Sequence, residues 1–232
     1  MRPQLAVIIP ARDEAAALPL LLADLALGAH LIAELLVVDG GSTDGTAARA
    51  HLAGAQVVLS PPGRGGQLLA GVAATSAPLL WLLHADVRLP PHWPQRLERL
   101  LALQRQAAPA PIAWFGDLKV PLAAPQYRLM EFLVALRSRV LQRPYGDQGL
   151  LISREAYRQA GGLRPLALME DLDFAERFSR SGCFAALGLD LQVSPRRWRR
   201  HGLLGTSWRN ACLRRAWRQG VSDVALSDRY RA

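Results

Sequence analysis

The chain has 232 residues, 50% hydrophobic and 20% charged, with a net charge of +9. That balance is ordinary for one soluble domain with its own core, and no run of about 18 apolar residues exists to form a transmembrane helix. Two cysteines, Cys183 and Cys212, give neither a zinc-like spacing nor a disulfide framework.

Lys119 is the sole lysine, so the positive charge is almost all arginine, which suits bidentate contact with phosphate or carboxylate. The excess points to an anionic partner: a phosphorylated small molecule, an acidic membrane surface or nucleic acid; biased arginine usage explains it equally well. The cysteine usage fits a reducing cytoplasm, and the first residues lack a signal-peptide cleavage region.

In chain order, residues 5–9 read as a buried strand ending at Pro10, followed by the turn Ala11-Arg12-Asp13-Glu14 and a helix over 15–27. Residues 35–38 form a second strand closing on Asp39, and the loop Asp39-Gly40-Gly41-Ser42-Thr43-Asp44-Gly45-Thr46 leads into another helix. A short strand at 56–59, a Gly-rich loop with Arg64, and a helix over 67–75 follow. The run 79–86 then reads as a buried strand ending in His84-Ala85-Asp86. This alternation argues for parallel βαβ units.

Beyond it, a helix to about 106 precedes a linker-like break at 107–111, a strand at 113–120 and a helix over 125–141 with Leu129, Phe132, Leu133 and Leu136 on one face. After Pro144-Tyr145-Gly146-Asp147-Gln148-Gly149 come a strand at 150–152 and a helix capped by Ser153. Glu170-Asp171 opens a helix to about 181, two short strands are expected at 184–187 and 191–193, and a basic tail starts at Arg196. No charged or Ser/Gly-rich spacer separates two domains. The expected organisation is a single domain with a nucleotide-binding half (1–90), a second half (91–200) and a basic helical tail (201–232).

Several stretches carry chemistry. Asp39 at a strand end can accept hydrogen bonds from a ribose or base, whereas Asp44 and Thr46 read better as turn and cap residues. Arg64 among glycines at a helix start makes an anion site, without the lysine and Ser/Thr of a Walker loop. His84 and Asp86, two apart on an extended chain, would face one ligand, and Asp86 suits a hard cation such as magnesium or manganese. Glu170-Asp171 sits where a helix dipole favours acids, and one of the two can act as a general base. An arginine of Arg196-Arg197-Trp198-Arg199-Arg200-His201 can neutralise a departing diphosphate; the same run also fits a solvated face or a membrane-surface patch.

Together these stretches resemble glycosyltransferase family 2, whose members have the GT-A fold. The resemblance covers nearly the whole chain. Val7-Ile8-Ile9-Pro10-Ala11-Arg12-Asp13-Glu14 is similar to that family's opening strand and turn, and Val38 to Thr46 to its second strand and nucleotide loop. His84-Ala85-Asp86 takes the place of the Asp-x-Asp metal motif, with the metal resting on Asp86. Glu170-Asp171 takes the place of the pair that holds the catalytic base. RGGQ (64–67), LHAD (83–86), PYGDQG (144–149), MED (169–171) and RRWRRHG (196–202) resemble a bacterial subgroup associated with radical-SAM/selenodomain systems.

The resemblance implies an α/β fold of GT-A type: a Rossmann-like, mostly parallel central sheet flanked by helices. It implies an inverting, non-processive transfer of a sugar from a nucleotide-diphosphate donor to a hydroxyl acceptor, with Mn2+ or Mg2+. Asp171 would be the base and Glu170 its positioner. Pro10, Arg12, Glu14, Asp39, Arg64, His84, Ala85 and Asp86 would bind the donor. Arg197 and Trp198 would close over it, and Gly146, Asp147 and Gln148 would line the acceptor side. A nucleotidyltransferase on a related sheet, or a non-catalytic protein holding a nucleotide or anionic lipid, are the competing readings. The tail lacks a recognised nucleic-acid module. Its aromatic and basic residues (Trp208, Arg209, Arg214, Arg215, Trp217) suit either peripheral contact on the inner membrane face or core packing.

Overall fold

The computed structural model describes residues 4–104 and 111–231; the side chains of Gln104, Arg197, His201 and Arg231 lie outside that description. The expected helix end near 106 and most of the 107–111 break fall outside the described residues. One eight-stranded sheet organises the chain. Its strands are β1 (Leu5–Ala11), β2 (Ile32–Asp39), β3 (Gln56–Leu59), β4 (Leu79–Leu82), β5 (Val87–Arg88), β6 (Ile112–Lys119), β7 (Leu150–Ser153) and β8 (Cys183–Val193). They lie in the order β3-β2-β1-β4-β7-β6-β8-β5.

The β3-β2-β1-β4 half is parallel throughout. Its strands are nearly continuous apolar runs because both faces are covered, and Leu5 to Ile9 are at most 1% exposed. One face packs under α1 (Leu18–Ala26) and α4 (Trp93–Gln104) through Val7, Ile9, Trp81, Leu21, Leu25 and Trp93. The other packs under α3 (Arg64–Ala73) and α7 (Glu170–Phe178) through Ile8, Val38, Leu82, Leu68, Phe174 and Phe178. Beyond β4 the sheet becomes mixed: β7 runs antiparallel to both β4 and β6, while β6 and β8 are parallel.

Four details depart from the sequence reading. The first helix starts at Leu18, since the N–H groups of Ala17 and Leu18 both turn back to the Glu14 carbonyl. The strand expected to reach Asp86 stops at Leu82, where its antiparallel pairing with Leu150 ends, and residues 85–86 form a turn. The two short strands expected after 183 are one strand, β8, which bends at Gly188 (φ 71°) where its register with β6 shifts. The apolar stripe of α5 (Pro125–Val140) points outward: Leu129, Phe132, Leu133 and Leu136 are exposed, while Tyr127, Met130 and Val134 pack on the core. Periodicity finds a helix face; it does not say where that face points.

The remaining helices are α2 (Thr46–Leu52), α6 (Arg154–Gln159), α8 (Arg196–His201), α9 (Leu203–Arg218) and α10 (Asp223–Arg231). Leu213 and Leu226 make a small separate core with Leu168, joined by Met169, Trp217 and Tyr230. Trp217 is therefore packed, whereas Trp208 is 75% exposed. The basic tail is a folded cap over the loop that delivers Glu170 and Asp171. Among the described residues no helix is long and apolar enough to cross a membrane.

Candidate active site

The carboxyl ends of β1, β2 and β4 lie side by side, where open α/β sheets take their ligands. Gln67 ties two of these ends together. Its buried Nε2 donates to the Ala11 carbonyl at 2.9 Å and to the Val38 carbonyl at 2.8 Å. The sequence showed this glutamine only as part of RGGQ, with no signal of its bridging role.

The turn after β1 and the loop after β2 are stapled to each other. Asp13 N–H donates to Ser42 Oγ, Glu14 N–H to Thr46 Oγ1 and Ala15 N–H to Asp44 Oδ2, while Thr43 N–H donates to Asp13 Oδ1. Asp44 and Thr46 are thus builders of the loop, as turn chemistry suggested. The Thr46 hydroxyl and Ala15 amide hold the Asp44 carboxyl below its usual range. Asp39 is 4% exposed and accepts the Gly41 and Ser42 amides, so it shapes the loop it begins. Pro10 is half-buried, Arg12 exposed on the turn, and Ala85 buried in the core.

His84 and Asp86 part company, because the chain turns between them instead of staying extended. His84 Nε2 lies 3.1 Å from Arg64 Nη1. Asp86 faces the other way, toward Arg196, whose Nη2 is 3.4 Å from Asp86 Oδ2 and 2.7 Å from Glu14 Oε2. One guanidinium nitrogen therefore serves two carboxylates. The sequence placed the donor-closing residues at Arg197 and Trp198. In the folded chain Trp198 leans on the core, Arg197's side chain lies outside the described residues, and Arg196 makes the ionic contacts.

Among the described residues no group of three or more His, Cys, Asp or Glu could hold a metal ion unaided. Asp86 and Glu14 nonetheless form an all-oxygen donor set. That chemistry fits a hard divalent cation which takes its other ligands from phosphate and water.

On the His84 side, an open cleft is lined by Arg64, His84, Asp147, Glu170, Asp171 and Arg214 among others. A small apolar pocket adjoins it, sharing His84, Glu170 and Asp171. Both acids open α7, after Met169, which adopts the left-handed region (φ 70°). Such a conformation costs a non-glycine residue roughly 1–3 kcal/mol and persists only where packing holds it. Asp171 accepts the Gly146 amide at 2.7 Å and the Leu172 amide at 2.7 Å, which fixes its carboxylate. A Cβ at position 146 would lie 2.9 Å from His84 Nε2 and 3.2 Å from Asp171 Oδ2, so only glycine leaves that pair in place.

Glu170 is 1% exposed and lies 3.1 Å from Arg64 Nε. Burial pushes its carboxyl up to about 7, although Arg64 pulls in the opposite direction. Arg64 is held cationic by Glu170 first, then by Asp171.

Gln148 does not line this cleft. It is fully buried, with Oε1 accepting from Ser138 Oγ (2.7 Å) and Arg137 Nη2 (2.9 Å) and Nε2 donating to the Gly116 carbonyl (3.0 Å). The acceptor role expected of it is corrected to that of a brace, because every polar atom of its amide is used inside the protein. Gln148→Leu is expected to destabilise the fold by about 2–4 kcal/mol, since it strands buried partners. Urea unfolding measures this.

A family model described as Glycosyl transferase family 2 matches residues 6–147. The chain belongs to that family. Among curated relatives, an uncharacterized glycosyltransferase of Mycobacterium tuberculosis (strain ATCC 25618 / H37Rv) is 42% identical over 81 residues, 34% of this chain and 35% of that one. One from Mycobacterium bovis matches to the same extent. The matched stretch is thus about a third of those relatives' length.

Among solved structures, this family 2 chain resembles glucosyl-3-phosphoglycerate synthase from M. tuberculosis in complex with Mn2+, uridine diphosphate and glucosyl-3-phosphoglycerate. The TM-score is 0.58 at 24% identity, over 83% of this chain and 70% of that one. S. aureus TarS 1–349 gives a TM-score of 0.62 at 15% identity, over 83% and 61%. At such identities the likeness is one of fold, the GT-A type arrangement.

Proposed function

We propose that this family 2 protein transfers a sugar from a nucleotide-diphosphate donor to a hydroxyl acceptor, with inversion and one transfer per encounter. The observation that carries the reading is the carboxylate of Asp171. It is fixed by two amides at the mouth of a cleft that also holds Arg64, at the carboxyl edge of the nucleotide-type half-sheet. The nucleoside lies along Asp39 and the Pro10, Arg12 and Glu14 turn, with Ala85 beneath. Arg64 and His84 meet the diphosphate. Asp86, with Glu14 beside it, would hold Mn2+ or Mg2+; a structural neighbour is crystallised with Mn2+ and UDP. When bound, such a cation offsets the charge of the departing diphosphate.

Asp171 takes the proton of the attacking hydroxyl, which approaches past Gly146 and Asp147. Glu170, anchored on Arg64, keeps Asp171 at the start of α7. Arg196, with Trp198 behind it and Arg197 next in the chain, is the cation that leaves Asp86 and Glu14 to cover the donor.

The reading extends to the radical-SAM/selenodomain subgroup, whose RGGQ, PYGDQG and RRWRRHG stretches are all present. Residues 1–90 serve as the donor half, 91–200 as the acceptor half and 201–232 as the cap of one domain. The location is cytoplasmic, with peripheral contact on the inner face of the membrane.

The test is a thermal-shift panel of nucleoside diphosphates with and without manganese. Ligand at about a hundredfold its Kd stabilises by about 2.7 kcal/mol. That gain is expected to need metal and diphosphate together and to vanish in Asp86→Ala. A diphosphate that stabilises wild type and Asp86→Ala equally, metal or no metal, overturns the assignment of Asp86.

A further inference from the structure

The outward face of α5 is unlike the rest of the surface. Leu129, Phe132, Leu133, Leu136 and Val140 recur at helical spacing and are all exposed, Phe132 by 61% and Val140 by 65%. Contiguous exposed apolar surface marks an interaction site.

Its surroundings say what kind. Between Pro121 and Tyr145 the chain carries Arg128, Arg137, Arg139 and Arg143, and its one acid, Glu131, is 5% exposed and bound to Arg128. Helix α9 carries Arg209, Arg214, Arg215 and Arg218, no acid, and exposed Leu204 and Trp208. The two helices meet at Tyr145, whose ring centroid lies 3.6 Å from the Arg137 guanidinium carbon and 5.6 Å from that of Arg214. Glu131, Asp117 and Glu176 pair with Arg128, Arg139, Arg143 and Arg218, so the surplus positive charge rests on Arg137, Arg209, Arg214 and Arg215. An apolar stripe beside such a surplus complements an anionic bilayer surface. It opposes a second copy of itself, because a two-fold contact would set the same positive patch against itself.

We infer that α5 seats its Leu129-Phe132-Leu133-Leu136-Val140 face in an anionic lipid surface, with the neighbouring arginines on the headgroups. This is a different contact from the one the basic tail suggested, and it does not depend on the transferase reading. Because Tyr145 and Arg214 also line the Asp171 cleft, the docked helix borders that cleft.

Vesicle co-sedimentation of the full chain tests it, with phosphatidylcholine alone and with phosphatidylglycerol added. Binding is expected only with the anionic lipid and is expected to weaken with salt. Phe132→Ser/Leu136→Ser should reduce partitioning by about tenfold or more, the loss of two buried apolar side chains. Leu52→Ser, at a site 84% exposed on α2, should leave it unchanged. A second readout is Phe132→Trp, whose added fluorescence should be quenched by brominated lipid. The inference is overturned if no vesicles are bound at low salt, or if the double variant binds as well as wild type. It is also overturned if the added tryptophan escapes quenching, or if light scattering finds a dimer that the double variant dissolves while no vesicles are bound.

Discussion

Asp171→Asn is expected to lower sugar transfer by about 10²–10⁴-fold, the usual contribution of a general base. The substitution is nearly isosteric, so the argument is about the proton and not the fold. The two amides that hold the carboxylate, from Gly146 and Leu172, remain in place, and only one can still find an oxygen. That costs about 1 kcal/mol of local stability. The loss should therefore appear in kcat, with the donor KM little changed, if Asp171 acts on the acceptor as proposed. A variant with wild-type kcat removes Asp171 from the base role and leaves the family assignment intact.

The second large effect concerns Arg64. Arg64→Met is expected to destabilise the protein by about 3 kcal/mol, at the low end for breaking a buried ion pair, because Glu170 can escape by taking up a proton. The pH dependence separates this from a simple packing loss. Burial raises the Glu170 carboxyl from 4.5 to about 7, so between those values the folded chain holds a proton that the unfolded chain has released. The stability contributed by that protonated form is complete below about 4.5, falls as pH rises, and is gone above about 7. Over that window the fall is about 3 kcal/mol.

In Arg64→Met the opposing pull of the guanidinium is lost, so the decline should continue above pH 7. In Glu170→Gln the decline should disappear. Chemical denaturation at pH values from 5 to 9 reads all three. A wild-type curve that is flat across this range overturns the account of Glu170.

Arg64 was legible in the sequence as the one part of its glycine loop that a turn does not need. Its partner was not, since Glu170 is 106 positions further along the chain. The same holds for the brace at Gln148, whose sequence neighbours Gly146 and Asp147 do line the site. Residue type offered no way to tell the three apart, because the short helical turn at Gly146–Gln148 sends successive side chains in different directions. His84 and Asp86 misled for a related reason. Their two-residue spacing implies a shared direction only on an extended chain, and the chain turns there.

The sequence by itself determined what depends on local pattern: the apolar strands, the helix-start signals, the motif order of family 2 and the candidate acids. Hydrophobic period and capping act within a few residues, so they survive reading one residue after another. What only the tertiary structure decided was direction and pairing. Arg196 spans Glu14 and Asp86, the basic tail folds over the Glu170-Asp171 loop, and the apolar stripe of α5 faces outward. Each of these depends on which distant segment occupies the neighbouring space, and no local propensity carries that information.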